Sequence, residues 1–307
     1  MISQKRKQKI RRILFGINFT DGLFYKAIIY ILLISFSYIY LYPLLYMTTN
    51  SFMGQSDLIN DGVKWIPREL YFSNYVQAWK VLEIKDSFFE TAFYVLKVSV
   101  LITFTSAITG YGFARFNFPF KKTLFVLMLA TFILPSQITM TSTMVIMRRI
   151  GIISTQKAMI YPAFFGQGIN SAIYILIFYQ FFRTIPKVLS ESAEIDGASE
   201  FRIFRSIALP LAIPSIVVVF LFSFVWYWNE TYLTGLMAGS NLTLPLKILT
   251  FKSSYEALFP PGTSGAALNE AVVLAANMLV ILPLLIIYFF GQKQFTESID
   301  RTGITGE

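Results

Sequence analysis

Ile185-Pro186-Lys187-Val188-Leu189-Ser190-Glu191-Ser192-Ala193-Glu194-Ile195-Asp196-Gly197-Ala198-Ser199-Glu200-Phe201, closing at Ile207-Ala208-Leu209-Pro210, separates two apolar runs. A connector between packed helices needs only about two to eight residues. The insert from Arg183 to Leu211 is much longer, half acidic and half apolar, and reads as a docking element. Its pattern is helix, break, helix. Glu191 and Glu194 are expected in a first turn, where carboxylates favour the positive helix end; Gly197 can take the left-handed cap conformation and Ser199 can start the next helix. Phe201, Phe204 and Ile207 or Ala208 recur at three-to-four-residue spacing, which predicts an apolar packing stripe. Pro210 and Pro214 mark a bend into the following run.

Outside the insert, the chain is too apolar for a soluble globule. Its 307 residues are 55% hydrophobic and 14% charged, with mean hydropathy +0.59, whereas soluble domains carry about 25% charged residues. This is the composition of an integral membrane protein. Cys and His are both absent, which removes thiolate and imidazole metal ligands, disulfides, a cysteine nucleophile and a histidine base. The net charge of +9 could suggest nucleic acid, but Lys5, Arg6, Lys7, Lys9, Arg11 and Arg12 crowd the amino terminus, where they read as a topology signal. The apolar run behind them is too long for a secretory signal and lacks a small-residue cleavage site.

A bilayer core takes on the order of 20 apolar residues per helix, and roughly six stretches qualify. They lie near Phe24–Met47, Thr91–Phe113, Thr123–Met147, Ala158–Phe182, Ala212–Leu233 and Ala271–Gly291. Backbone groups in lipid must pair within the segment and no barrel-like alternation appears, so the expected fold class is all-α, a polytopic helix bundle. The expected organisation is a basic cytoplasmic tail (1–23), a transmembrane domain (24–291) carrying the 183–211 loop, and a carboxy-terminal tail (292–307). Lys and Arg near span ends resist translocation, so both termini and the 183–211 insert are expected on the cytoplasmic side, with Arg115, Lys121 and Lys122. Thr48–Glu90, with Lys64, Arg68, Lys80 and Lys85, then lies outside. Arg148, Arg149 and Lys157 also fall outside, against the rule; the larger amino-terminal cluster decides.

Catalysis by the insert's acids has no support, since no His, Cys or opposing carboxylate cluster accompanies them. Lys97 sits well inside the second expected span, where a cation costs about 2.5 to 3.5 kcal/mol on insertion scales. It lines a translocation path, snorkels, or pairs within the bundle. Carboxylates are missing from the span interiors, where a proton-driven carrier would want one. Trp226, Trp228, Asn229 and Glu230, with Tyr227, form an aromatic and polar cluster that could stack on sugar rings and bond hydroxyls, or belong to an interfacial belt. There is no G-x-x-x-x-G-K-[ST] phosphate loop, so any energy source lies elsewhere.

Glu191-Ser192-Ala193-Glu194-Ile195-Asp196-Gly197-Ala198, framed by Ile185-Pro186 and Ile207-Ala208-Leu209-Pro210, resembles the E-A-A-x-x-x-G motif of binding-protein-dependent ABC importer permeases. Asn74-Tyr75, Gly110-Tyr111-Gly112-Phe113-Ala114-Arg115-Phe116, Ile150–Thr155, Phe181–Pro186, Trp228-Asn229-Glu230, Thr243-Leu244-Pro245 and the ending Gln292–Gly306 are similar to the carbohydrate branch of maltose-type, MalG-like permeases. Two departures stand out. Ser192 replaces the usual Ala, and Arg301–Glu307 only loosely follows the family's glycine-rich tail. The resemblance implies a type I importer fold in a bacterial plasma membrane. It further implies a homologous second permease, an ATPase dimer that binds ATP and Mg, an extracellular sugar-binding protein and an oligosaccharide substrate, with no cofactor or catalysis in this chain. Glu191, Ser192, Ala193, Asp196, Gly197, Ala198, Phe201 and Phe204 would form the coupling helix seated on one ATPase. The rival reading is a secondary carrier or channel not driven by ATP.

Overall fold

The computed structural model describes Leu14 and residues 22–63, 65–239, 243–263, 265 and 267–301, with side chains for all but 136 and 293–301. Lys5, Arg6, Lys7, Lys9, Arg11 and Arg12 of the basic tail, Lys64, and residues 302–307 lie outside the described residues. Among the described residues every regular element is helical, as the expected all-α class requires. Three helices are long and apolar enough to cross a bilayer alone: α1 (Leu23–Asn50), α2 (Ile84–Arg115) and α9 (Glu270–Arg301, apolar through Gln292); counting bent pairs as single spans raises the number to as many as six. These three contain the first, second and sixth expected spans.

The other expected spans are broken, each for a local reason. Thr123–Met147 is divided into α3 (Lys121–Ile133) and α4 (Ser136–Arg149). Leu134 precedes Pro135 and is extended, because the proline ring disfavours helical geometry in the residue before it. Ala158–Phe182 is not one helix but α5 (Lys157–Phe164) and α6 (Ser171–Thr184). Between them Gly166 and Asn170 take positive φ, and the freed amide of Ile169 donates to Tyr227 Oη at 2.8 Å. At about 1.5 Å per residue, α6 alone spans only about 21 Å of a core near 30 Å. The fifth helix, α8 (Ile213–Asn229), stops at Asn229 rather than Leu233 because Glu230 is extended.

The chain forms two compact units. One takes the described residues up to Ala78 together with Asn269–Met278. In it, the stretch after α1 is a folded cap. Asn74 Nδ2 donates to the carbonyls of Ser51 and Met53, both at 2.9 Å; Ser51 Oγ meets Tyr75 Oη at 2.7 Å; buried Asp57 accepts from the Arg68 amide at 3.0 Å. The apolar stretch of α1 itself has no residue buried within the chain.

The second unit (Trp79–Leu268, Leu279 onward) is organised around α2, which packs mainly on α6 and α8. Thr91, Tyr94, Val95, Val98, Ser99, Ile102, Ser106 and Gly110 form its buried face, at the three-to-four spacing that lines one side of a helix. The threonine hydroxyls on this helix close onto carbonyls one turn back, Thr103 onto Ser99 at 2.7 Å and Thr109 onto Thr105 at 2.8 Å, while Thr105 also reaches Ala163 O of α5 at 3.0 Å; the buried hydroxyls of Ser99 and Ser106 make no hydrogen bond among the described residues. Such back-bonding satisfies polar groups where water is absent. At the end remote from Arg115, Lys247 Nζ bonds Glu83 Oε2 at 2.7 Å and holds that carboxyl below its ordinary range. This link is complete at neutral pH and is lost as pH falls through the lowered value.

Contact between α2 and α6 is closest at Gly110, where an added Cβ would stand 2.6 Å from Phe178 Cβ and 3.0 Å from both Ile175 O and Tyr179 N. At Gly112 the same carbon meets nothing within 4 Å. Gly110→Ala is therefore expected to lower the melting temperature of the detergent-purified protein by several degrees, in line with an overpacking cost of about 1–3 kcal/mol. Gly112→Ala should leave it unchanged, and equal behaviour of the two variants would refute this account of the packing.

Candidate functional site

The insert turns out of α6 at Ile185-Pro186. Its first helix, α7 (Lys187–Ile195), bends 72° from α6. Both ends of α7 are fixed by local chemistry. Pro186 precedes its first residue, where a missing N–H costs nothing. At the other end Gly197, with φ of 77°, lets its amide donate to Glu194 O at 3.0 Å while the Ala198 amide donates to Ala193 O at 2.9 Å. This paired closure is the Schellman motif, and it requires the left-handed residue that glycine supplies without strain. The expected left-handed cap at Gly197 is thus observed. Ser199 Oγ then accepts from the Arg202 amide at 3.4 Å and starts the short helix Glu200–Ile203, with Glu200 in its first turn. A π-helical turn, Phe204–Ala208, carries the chain to Pro210, and the segment Glu200–Leu211 meets α8 at 75°.

Two attachments hold this hairpin to α2. Arg115, in the last turn of α2, donates from Nη2 to Ile185 O at 2.8 Å. Phe204 packs its ring on Tyr111, with centroids 4.8 Å apart; Tyr111 in turn meets Phe182 edge-on at 5.3 Å, and Phe182 stacks on Phe178 at 5.9 Å. Aromatic pairs at these separations add about 0.5–1.5 kcal/mol each beyond their buried area. Ile203 and Ala208 are buried beside Phe204 in sequence. The outward surface is different. Val188, Leu189, Ile195 (87% exposed) and Phe201 (70%) present apolar side chains, interspersed with exposed Glu191, Ser192, Glu194, Asp196 and Glu200. Among the described residues none of these four acids is ion-paired. Ala193 and Ala198 are half-buried.

Two sequence expectations are corrected here. Glu191 and Glu194 do not occupy a first turn: α7 begins at Lys187 and has no acid in its first turn, so Glu191 lies mid-helix and Glu194 in the last turn. Nor do Phe201 and Phe204 share one stripe. Phe204 is an inward anchor and Phe201 an outward knob, and the π-turn that begins at Phe204 alters the periodicity of the residues that follow it.

The second group of sequence candidates does not converge on one site. Trp228 is 1% exposed; its indole nitrogen donates to Val280 O at 3.3 Å and its ring stacks on Phe224 at 5.9 Å, so it has no open face for a sugar. Asn229 Nδ2 bonds Val225 O of its own helix at 2.9 Å. Glu230 caps the next short helix, Tyr232–Met237, by accepting from Leu233 N at 2.8 Å and Thr234 N at 2.6 Å. Trp226 and Lys97 are exposed, on α8 and α2 respectively. The residues that sequence reasoning passed over are Tyr111 and Arg115. Their signal is Gly110-Tyr111-Gly112-Phe113-Ala114-Arg115 at the end of a span, a close-packing glycine followed by a ring and a guanidinium. Among the described residues no cluster of His, Cys, Asp and Glu could hold a metal.

Residues 91–301 match the family described as binding-protein-dependent transport system inner membrane component. The arabinooligosaccharides transport system permease protein AraQ of Halalkalibacterium halodurans is 27% identical over 275 residues, covering 88% of this chain and 93% of that protein. The diacetylchitobiose uptake system permease protein NgcG of Streptomyces coelicolor is 26% identical over 285 residues, covering 90% of this chain and 88% of that protein. In fold, the chain is similar to a crystal structure of a bacterial ABC transporter involved in the import of the acidic polysaccharide alginate. That likeness has a TM-score of 0.71 at 19% identity and covers 88% of this chain and 96% of that one.

If Arg115 and Phe204 hold α7 to the bundle, Arg115→Met and Phe204→Ala should each raise amide hydrogen exchange across residues 187–208 by about tenfold, the rate effect of about 1.4 kcal/mol. Residues 91–106 of α2 should be unaffected. Uniform loosening of the whole chain would show that these side chains serve general stability alone.

Proposed function

This chain belongs to the family of binding-protein-dependent transport system inner membrane components, a multi-pass membrane permease subunit, and we propose that it imports oligosaccharides or glycan fragments by taking up the stroke of a separate ATPase through α7. The observation that carries the reading is the exposed α7–Phe201 surface, hung from α2 at both ends by Arg115 and Phe204. A loose connector would need neither attachment. The two relatives described above are named for arabinooligosaccharides and diacetylchitobiose, which supports a glycan as cargo. A homologous second permease, a pair of ATPase subunits and an extracellular sugar-binding protein complete the assembly in this reading.

Mechanically, α7 acts as a lever. Its apolar knobs Val188, Leu189, Ile195 and Phe201 sit in a groove of the ATPase, with Glu191 and Asp196 offering charge at the rim. Displacement of the groove moves Ile185 and Phe204 together. Both ends bear on the last turns of α2, a helix of about 48 Å by its rise per residue, so the motion reaches the far side of the bundle as a rigid-body tilt. Nucleotide hydrolysis belongs to the partner subunits, and both termini of this chain face the cytoplasm with α7.

Gly197→Val tests this directly. An added Cβ at Gly197 would meet nothing within 4 Å, so the variant does not crowd the bundle; it strains the left-handed turn by about 1–2 kcal/mol and misdirects the end of α7. The protein is expected to insert normally and to retain its partner permease, while co-purification of ATPase subunits and substrate-stimulated ATPase fall about tenfold. Stimulated ATPase at the wild-type rate would overturn the lever, and absence of any ATPase from the wild-type complex would overturn the importer reading itself.

A further inference from the structure

α5 and α6 meet at the bend Gly166–Asn170, and each closes on its own residues. α5 ends in a second Schellman closure, with Gly166 at φ of 71°: the Gly166 amide donates to Ala163 O at 3.2 Å and the Gln167 amide to Pro162 O at 2.7 Å. α6 opens on Asn170, at φ of 60°, whose carbonyl accepts from the Ile173 and Tyr174 amides at 3.0 and 3.2 Å. The Ile169 amide between these closures goes instead to a distant helix, through Tyr227 Oη of α8. Tyr227 is fully buried. Gly168 is what admits it, for an added Cβ there would stand 2.8 Å from Tyr227 Oη, 2.8 Å from Ile102 Cδ1 and 3.1 Å from Ala163 Cα.

At their other ends α6 and α8 are joined by the hairpin. α6 passes through Ile185-Pro186 into α7. The segment Glu200–Leu211 turns into α8 at Ala212, which is fully buried and bonded on both sides: its amide donates to Ala208 O at 3.0 Å and its carbonyl accepts from the Ile216 amide at 2.9 Å. α6 is about 21 Å long, and α8 rises about 21 Å from Ile213 to Tyr227. Two struts of nearly equal length thus leave one base and are pinned together again by one hydrogen bond. Helices resist stretching, so a tilt or axial rotation of α8 imposed at the base is carried to Tyr227. There it pulls on Ile169, where the backbone is not helical and can yield.

We infer that Tyr227 is a positioning residue for the stroke: its hydroxyl ties α8 to the α5–α6 bend, so that displacement of the hairpin changes the angle between α5 and α6. The inference rests on the lever reading and adds to it a second route, through α8 rather than α2. Only the tyrosine oxygen is needed. Phenylalanine would fill the same buried space but leave the Ile169 amide without its acceptor, and the hairpin would then bear on the bend through packing alone. Thr105 Oγ1, which bonds Ala163 O at 3.0 Å, is the natural comparison. It too joins a neighbouring helix to the backbone beside the bend, but it lies on α2 and outside the frame that α6, the hairpin and α8 enclose.

The native chain contains no cysteine, so Tyr161→Cys on α5 and Gln180→Cys on α6, both exposed, take a pair of spin labels that brackets the bend. The distance between them is read by pulsed electron paramagnetic resonance in the full complex in nanodiscs, with the partner subunits freed of cysteine. Between the nucleotide-free complex and one trapped with ATP and orthovanadate it is expected to shift by about 2 Å or more. Tyr227→Phe should abolish the shift, and Thr105→Val should retain it. A shift that persists in Tyr227→Phe would overturn the inference and leave the lever reading standing. Equal loss in Thr105→Val would show that any bond beside the bend suffices, and failure of Tyr227→Phe to assemble would show that the oxygen serves stability; either result overturns the inference. A wild-type distance that stays fixed while the complex hydrolyses ATP does the same and spares the lever, whereas absence of ATPase subunits from the complex removes both.

Discussion

Everything in the second unit is registered by the approach of α2 to α6 at Gly110. A side chain there would overlap Phe178, so the two helices come together only because this position has none. One residue on, the same approach brings Tyr111 against Phe182 and opens the recess that Phe204 fills. Four residues further, it puts the Arg115 guanidinium on Ile185 O. Interhelical packing and attachment of the α7 hairpin are thus one structural event. A chain that lost the first would lose the second, so in the proposed lever the hairpin and α2 move together.

Several polar groups of the bundle are paired within the framework. Threonines on α2 return their hydroxyls to carbonyls of their own helix, and Thr105 adds Ala163 of α5. Tyr227 Oη takes the Ile169 amide released where the helix breaks at Gly166 and Asn170. Trp228 spends its indole on Val280 O. In an environment without water each of these bonds replaces one that solvent would otherwise make, and each makes a residue that looks available for ligand into a piece of framework. Lys97 is the contrast, an exposed charge that no described carboxylate pairs.

Much of the architecture was legible in the residues. Length and hydropathy located α1, α2 and α9, since a helix that must cross about 30 Å of hydrocarbon announces itself by composition. The hairpin was legible too, because Gly197 and Ser199 act through bonds to neighbours only a few residues away. The breaks at Leu134-Pro135 and at Gly166–Asn170 carried visible signals, proline and glycine inside apolar runs, but hydropathy averages over such punctuation. Glu191 and Glu194 mislead for a related reason: acids commonly mark a helix start, but here Pro186 sets it and both acids fall later in α7.

What the sequence determined by itself is the material: a helical membrane protein, its three long spans, and a polar hairpin whose turn depends on one glycine. Those properties arise from composition and short-range bonding, and no distant residue alters them. The tertiary structure alone decided orientation. Whether Trp228 faces core or cavity, whether Phe201 or Phe204 points outward, and whether Lys97 is covered depend on which side of each helix its neighbours occupy. In a bilayer both sides of a helix are apolar, so periodicity cannot separate the face that meets protein from the face that does not.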